Sequence, residues 1–462
     1  MKTKIYPSIL LFIALSAFNL SYAQWQPVGQ VGFSAGQVAY TSMAVDQAGT
    51  PYIAYQDLQN NNSVTVKKYN GSSWVTVGSE GMTGGAAKYI SLAIDSATGT
   101  PYVAFSDSNN AWSVTVEKFN GTNWVVLDVP GFTTEEADYI SLAVSSDGHP
   151  YVAFKDFGNT SKVSVYRFSG TQFANIGAPG FSAGAADYVS LKFDQSTGTP
   201  YVAYKDEAST HSGITVNKFN GSSWAAVGST GFTPSGVSYV SLAIDNAGTP
   251  YVAFSDNGAT NLYAASVMKF NGTAWAFAGA EGISAGEADY VSLAINNNGV
   301  PYIAYSDNAN AHKTTVATLN GGNWVNVGTA DFSAAEADYN SIVIDNNNNV
   351  YVGYEDDGNS NAATVMKYNP VNGIKEETSV LSFSIYPNPS QGKFTVQVKA
   401  AGDEHLQVSL LSLTGQILLQ GEPVEVNGTY TTTLDAGQLA KSIYLLQILT
   451  AQGVENRKVE VQ

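Results

Sequence analysis

Cysteine is absent from this 462-residue chain, which excludes disulfides, thiolate metal sites and cysteine nucleophiles. Arginine is nearly absent too, with Arg167 and Arg457 alone in the sequence. A formal charge of −17 argues against nucleic acid as a partner, because phosphates need a basic surface, and against docking by charge on an anionic membrane. The histidines, His149, His211, His312 and His405, are scattered and lack metal-ligand spacing. Long apolar runs are missing after the first two dozen residues, so the mature chain is expected to carry no transmembrane segment. The opening itself, "MKTKIYPSILLFIALSAFNLSYAQ", has Lys2 and Lys4 before an apolar stretch and small residues at Ser21 and Ala23. It reads as a signal peptide over residues 1–23, cleaved between Ala23 and Gln24, and implies export through the periplasm.

What the chain does have is hydrophobic residues at 44%, 27 tyrosines and 44 glycines, the composition of many short strands and turns. A unit centred on "ADYISLAVSSDGHPYVAFKD" recurs seven times. Its tyrosines, Tyr40, Tyr89, Tyr139, Tyr188, Tyr239, Tyr290 and Tyr339, lie 49 to 51 residues apart, the period of propeller blades. Each copy holds four short apolar runs, strands a to d; in the second copy these are "YISLAID", "PYVAFSD", "SVTVEKFN" and "NWVVLD". Tight turns join a to b, and Asn-Gly, as at Asn70-Gly71, suggests two-residue hairpins from c to d. The longer b–c and d–a connections then share the opposite rim, where recognition is expected.

Trp74, Trp124, Phe173, Trp224, Trp275 and Trp324 mark six d strands, while the seventh copy ends at "TVMKY" without one. The missing strand is "WQPVG" at Trp25, which would pair beside Val365–Tyr368 and leave no interior edge bare. The fold class is therefore all-β, a seven-bladed β-propeller over residues 24–369 whose N-terminal strand closes the last blade. Strand b carries Ala54, Ala104, Ala153, Ala203, Ala253, Ala304 or Gly353 at its centre, small where blades approach near the axis. Strand a has one exception: Lys192 stands where five copies have Ala and one has Val343, and is read as reaching solvent in the channel.

After "NPVNGIKEETSV" the period stops, giving a linker over 370–380 and a module over 381–462 that reads as a small β-sandwich. Its "YPNPSQGKFTVQV" from Tyr386, "LTGQIL" from Leu413, "LAKSIYLLQI" from Leu439 and final "RKVEVQ" resemble the type A C-terminal sorting domain of Bacteroidetes proteins exported by the type IX secretion system. Ser442 and Glu460 depart from the usual pattern. The resemblance implies the type IX machinery as a partner, and a passenger that is secreted or held on the outer cell surface.

Every copy also keeps a serine, Ser141 in the third, and an aspartate closing strand b: Asp57, Asp107, Asp156, Asp206, Asp256, Asp307 and Asp356. Two readings stand. Either each carboxylate is a peg, accepting hydrogen bonds from the Ser or Tyr hydroxyl or the b–c loop backbone, or the seven mark ligand pockets with Asp accepting from sugar hydroxyls. Trp112 and Tyr263, in b–c loops, are candidate stacking platforms. No cofactor is implied; calcium stays open, since the loops offer oxygen ligands without a spaced Asp-x-Asp-x-Asp run. No catalytic constellation is found, and the arginine cluster and Ser-x-Asp-x-Gly-x-x-Trp boxes of sialidase propellers are missing. Paired carboxylates at Glu135-Glu136 or Glu355 with Asp356 leave a glycosidase as the minor alternative. The preferred reading is a propeller binding an extracellular glycan; the alternative is an adhesion scaffold binding a surface protein.

Overall fold

The computed structural model describes residues 24–258, 263–369, 382–412, 417–450 and 453–462. The leader over 1–23 with Ala23, the linker over 370–380 and residues 413–416 of the quoted tail motif lie outside them. Apolar residues alternating with period two make each run of the repeat a strand. In the second copy Ala87–Ile94, Pro101–Asp107, Ser113–Phe119 and Trp124–Val126 pair in that order as one antiparallel sheet, and five further copies repeat it. The seventh sheet runs Gln24–Pro27, Ala362–Asn369, Val350–Asp356, Ala337–Ile344. Trp25 faces Tyr368 and Gln26 faces Lys367 in this pair, so the amino-terminal strand completes the last blade. The seven a strands touch one another in a closed circle, and the result is a seven-bladed propeller around an axial channel.

Three sets of contacts tie the blades together, the first at all seven boundaries and the others at most of them. In strand a, the serine hydroxyl accepts the backbone N–H of the following blade: Leu92 donates to Ser42, Leu142 to Ser91, Leu191 to Ser141, and so on to Met43 on Ser341, all at 2.9–3.1 Å. At the outer edge each indole N–H donates to a carbonyl of the preceding blade, as Trp25 to Val327 at 2.8 Å and Trp124 to Val77 at 2.7 Å. Phenylalanines of the d–a loops stack on the next blade's d-strand ring, Phe332 on Trp25 at 4.3 Å and Phe232 on Trp275 at 4.2 Å. Such links make closure cooperative: opening a boundary breaks its serine bond together with the indole bond or ring stack found there.

Departures from the repeat come in pairs across blade boundaries. Six copies have a glycine of positive φ at one position, and five of these lie under the next blade's indole; a Cβ added at Gly78 would lie 2.9 Å from Trp124 Cδ1. Asp128 takes this place once, and there the next blade has Phe173, whose smaller ring leaves room and whose N–H donates to the Asp128 carboxylate at 2.8 Å. Gly353 replaces the strand-b alanine where Met43 of the adjoining blade fills the space, its Sδ 2.6 Å from where a Cβ would sit. Asn340, buried where other copies have Thr, Ile or Val, accepts from Thr314 Oγ1 at 2.9 Å and donates to Ser306 Oγ at 2.7 Å in the blade before it.

The c–d turns differ from expectation. Only Gly321-Gly322, with φ of 59° and 89°, is a two-residue hairpin with both residues left-handed. Elsewhere the loop holds four residues: Gly71 alone has positive φ, and Asn70 Oδ1 accepts the N–H groups of Ser72 and Ser73. The asparagine thus acts as an Asx turn, a local bond that competes successfully with the tighter hairpin.

The second compact unit is a small β-sandwich folded from one sheet. Its long strand, Lys393–Leu411, pairs first with Ser382–Tyr386 and Val424–Asp435, then with Ser442–Thr450 and Ile417–Gln420. Alternate residues Phe394, Val396, Val398, Leu406, Val408 and Leu410 enter one core with Tyr444, Leu446, Ile448, Val459 and Val461. Asn388 of the Tyr-Pro-Asn-Pro segment donates to the Lys458 carbonyl and accepts the Glu460 N–H, both at 2.9 Å, so two separated motifs of the tail meet.

Candidate functional site

The seven aspartates that close strand b lie inside the long-loop rim, none more than 5% exposed. Asp107 accepts the Asn109 N–H at 2.9 Å, the Asn110 amide at 2.7 Å and the Thr115 hydroxyl at 2.9 Å. Thr115 in turn accepts the Gly131 N–H of the d–a loop at 2.9 Å, so one carboxylate ties both long loops together. Asp57, Asp156, Asp206 and Asp356 use the same strand-c hydroxyl. Asp256 and Asp307 instead accept from loop groups, Gly258 and Ser235 for the first, Ala309 and Ala285 for the second. Loop backbone is a partner of five of the seven, while Asp156 and Asp356 accept from side chains alone; the strand-a serine is taken by the next blade and the repeat tyrosine points elsewhere.

Those tyrosines form a collar. At each one strand a bulges, the register slipping between Asp138 and Ser141 in the third blade, and the tyrosine adopts φ of 50–52°. A bulky residue in this region costs about 1 kcal/mol, and a bulge re-aims its side chain. Here the rings meet at tilts of 43–57° around the axis, Tyr40 to Tyr89 through to Tyr339 and back to Tyr40, with centroids 4.8–5.4 Å apart. All seven stay half-buried, each offering a partly open aromatic surface. Burial, then the nearby Asp138, raises the Tyr89 hydroxyl above the ordinary phenol range, and that hydroxyl bonds Asp138 of the next blade. Tyr239 and Asp289 repeat the arrangement, and Tyr339 is pushed up to about 12, chiefly by burial.

Around the collar the backbone is constant and the side chains vary. A residue one or two places before strand c is left-handed in all seven blades: Asn62, Trp112, Ser161, Ser212, Tyr263, His312 and Asn361. Trp112 is half-buried with Lys88 Nζ 4.1 Å above its ring, and Tyr263 is 44% exposed. Lys155 pairs with Asp187 at 2.7 Å and His312 lies 3.5 Å from Asp289. Glu336, Asp338, Glu355, Asp357 and Asn361 line a cleft of about 190 Å³. Burial first, then neighbouring carboxylates, raises Asp338 to about 6; burial also raises Glu355 to about 7, against an opposing bond from Asn361. Glu355 faces Asp338 across the strands, while the adjacent Asp356 points inward, so those two do not converge.

The opposite rim holds clefts that the sequence reading missed. One of about 500 Å³ lies between the last and first blades, lined by Tyr52, Lys68, Tyr351 and Lys367; another of about 400 Å³ contains Tyr251 and Lys269. The signal was present: a cation two residues before the c–d turn opposes a strand-b tyrosine, Lys68 on Tyr52 at 5.9 Å and Lys367 on Tyr351 at 5.3 Å. Because the pair recurs in most blades and covers the ring, it serves packing.

Among the described residues no cluster of three or more His, Asp or Glu is arranged to hold a metal ion, and no helix is long and apolar enough to cross a membrane. The chain is thus a seven-bladed propeller joined to a β-sandwich module. Residues 384–462 match the family described as the secretion system C-terminal sorting domain, so this is a protein that the type IX system exports to the medium or the cell surface. No curated protein matches the chain. Among solved structures, a fungal alcohol oxidase of the AA5 family in complex with copper is 12% identical, with 96% of this chain and 100% of that chain covered and a TM-score of 0.50. A PL25 ulvan lyase is 14% identical over 73% of this chain and 95% of its own, with a TM-score of 0.49. The Aleuria aurantia lectin in complex with Fucα1-6GlcNAc is 14% identical over 65% and 97%, with a TM-score of 0.42. At 12% identity the likeness to the oxidase is one of fold alone.

Proposed function

We propose that this protein is a non-catalytic carbohydrate-binding propeller acting at the cell surface or in the medium, with the long-loop face as its ligand surface. The observation that carries the reading is the collar of seven half-open tyrosines, encircled by variable polar and aromatic side chains on a fixed backbone. Aromatic faces pack the C–H side of a sugar, and hydroxyls, amides and carboxyls bond its rim. The buried aspartates hold this surface in shape. Acidic groups around the collar, Asp138, Asp289, Asp338 and Glu355, favour neutral sugars over uronates.

A glycan array probed with the exported protein tests this. Binding to one neutral glycan class is expected, with at least a tenfold loss in Trp112→Ala or Tyr263→Ala and unchanged melting. A protein trapped recurrently by cross-linking on intact cells, with no glycan bound, would establish the scaffold reading instead. Release of reducing ends from a polysaccharide panel would make the protein an enzyme.

A further inference from the structure

We propose that the axial channel holds a small anion, a halide or short carboxylate, between Lys192 and the ring of strand-a serines. Three departures from the sevenfold repeat, at Asp128, Gly353 and Asn340, are each met by a compensating residue in an adjoining blade. Lys192 is a fourth departure and has no such match. Its equivalents are Ala44, Ala93, Ala143, Ala243, Ala294 and Val343, and among the described residues no carboxylate or carbonyl pairs with its ammonium.

The position is enclosed but wet. Lys192 lies in the middle of an innermost strand, Ala186–Asp194, and is nonetheless exposed, so the water that reaches it is channel water. It covers its neighbours: Ser190 is 9% and Ala243 7% exposed, whereas most of their equivalents are half-buried. Partial desolvation among the surrounding strands lowers the ammonium below the ordinary lysine range. A cation so placed either gives up its proton or takes a counterion.

The channel supplies further donors. Ser190 and Lys192 are two residues apart in one strand and share a face. Each of the seven serine hydroxyls accepts a backbone N–H and, among the described residues, donates to nothing. Seven O–H groups that donate to no protein acceptor and one unpaired ammonium thus belong to the innermost strands. A chain of formal charge −17 repels anions at large, so any saturable response must come from a local cation.

The test is melting of the full chain as bromide replaces gluconate at constant ionic strength, comparing wild type with Lys192→Ala and Lys192→Met. Alanine is the residue of most other blades, so this variant should fold. The wild type should gain a saturable ~2–4 °C, both variants should gain nothing, and a bromide-soaked crystal should show anomalous density on the axis. Equal bromide responses in all three proteins, or an axis without anomalous density, would overturn the proposal.

Discussion

Replacing Asp156 by alanine separates a peg from a ligand group. The carboxylate is 3% exposed and accepts from Asn159 Nδ2 at 2.8 Å and Ser164 Oγ at 2.5 Å; Ser164 holds the Gly180 N–H at 2.9 Å. Hydrogen bonds to a charged acceptor are worth about 1.5–3 kcal/mol each, and relief of the buried charge offsets part of that, leaving a net loss on the order of 2–4 kcal/mol. Unfolding entropy of about 2.1 cal/mol/K per residue, applied to residues 24–369, converts this to a fall of about 3–6 °C. Asp156→Asn keeps one oxygen and should lose roughly half as much. Calorimetry on the exported protein reads the shift, with glycan binding measured well below the transition. Unchanged melting together with lost binding would refute the peg assignment and return Asp156 to the ligand surface.

Phe173→Trp alone should destabilise, because Asp128 fills the space that a glycine leaves under other indoles; adding Asp128→Gly should recover stability, with a coupling of about 1–3 kcal/mol in a double-mutant cycle. Glu117 is 7% exposed and its carboxyl is raised to about 7, first by burial and then by Asp107. The folded state therefore binds this proton more tightly than the unfolded one, and the stability it contributes at low pH is lost as pH rises through 7. Denaturation across pH should show Glu117→Gln more stable than wild type by on the order of 2–3 kcal/mol above pH ~7.5 and no gain below pH ~4.5.

Much of the fold was legible because a period near 50 and a count of d-strand aromatics need no three-dimensional information. Trp25 was the telling residue: seven a strands and six later d strands leave one place for it. Contacts between blades were not legible. Ser141 and Leu191 are 50 residues apart in register on different sheets, and nothing within one repeat distinguishes a serine serving its own aspartate from one serving the next strand. The collar was hidden for a steric reason, since tyrosine is a poor choice for positive φ and gives no sign of a bulge. Asn-Gly misled because the asparagine side chain satisfies the turn itself. The tail's motifs were readable, whereas their meeting through Asn388 required the fold.

The absence of native cysteine allows a direct measurement of closure. Gln26 and Lys367 are register partners in the last blade, and antiparallel partners lie within disulfide reach. The double variant Gln26→Cys, Lys367→Cys should oxidise to an intramolecular disulfide, seen as one cross-linked peptide pair by mass spectrometry, with a higher melting temperature that reducing agent reverses. Two free thiols after oxidation, in a protein that still melts like wild type, would mean that the amino-terminal strand does not close the ring.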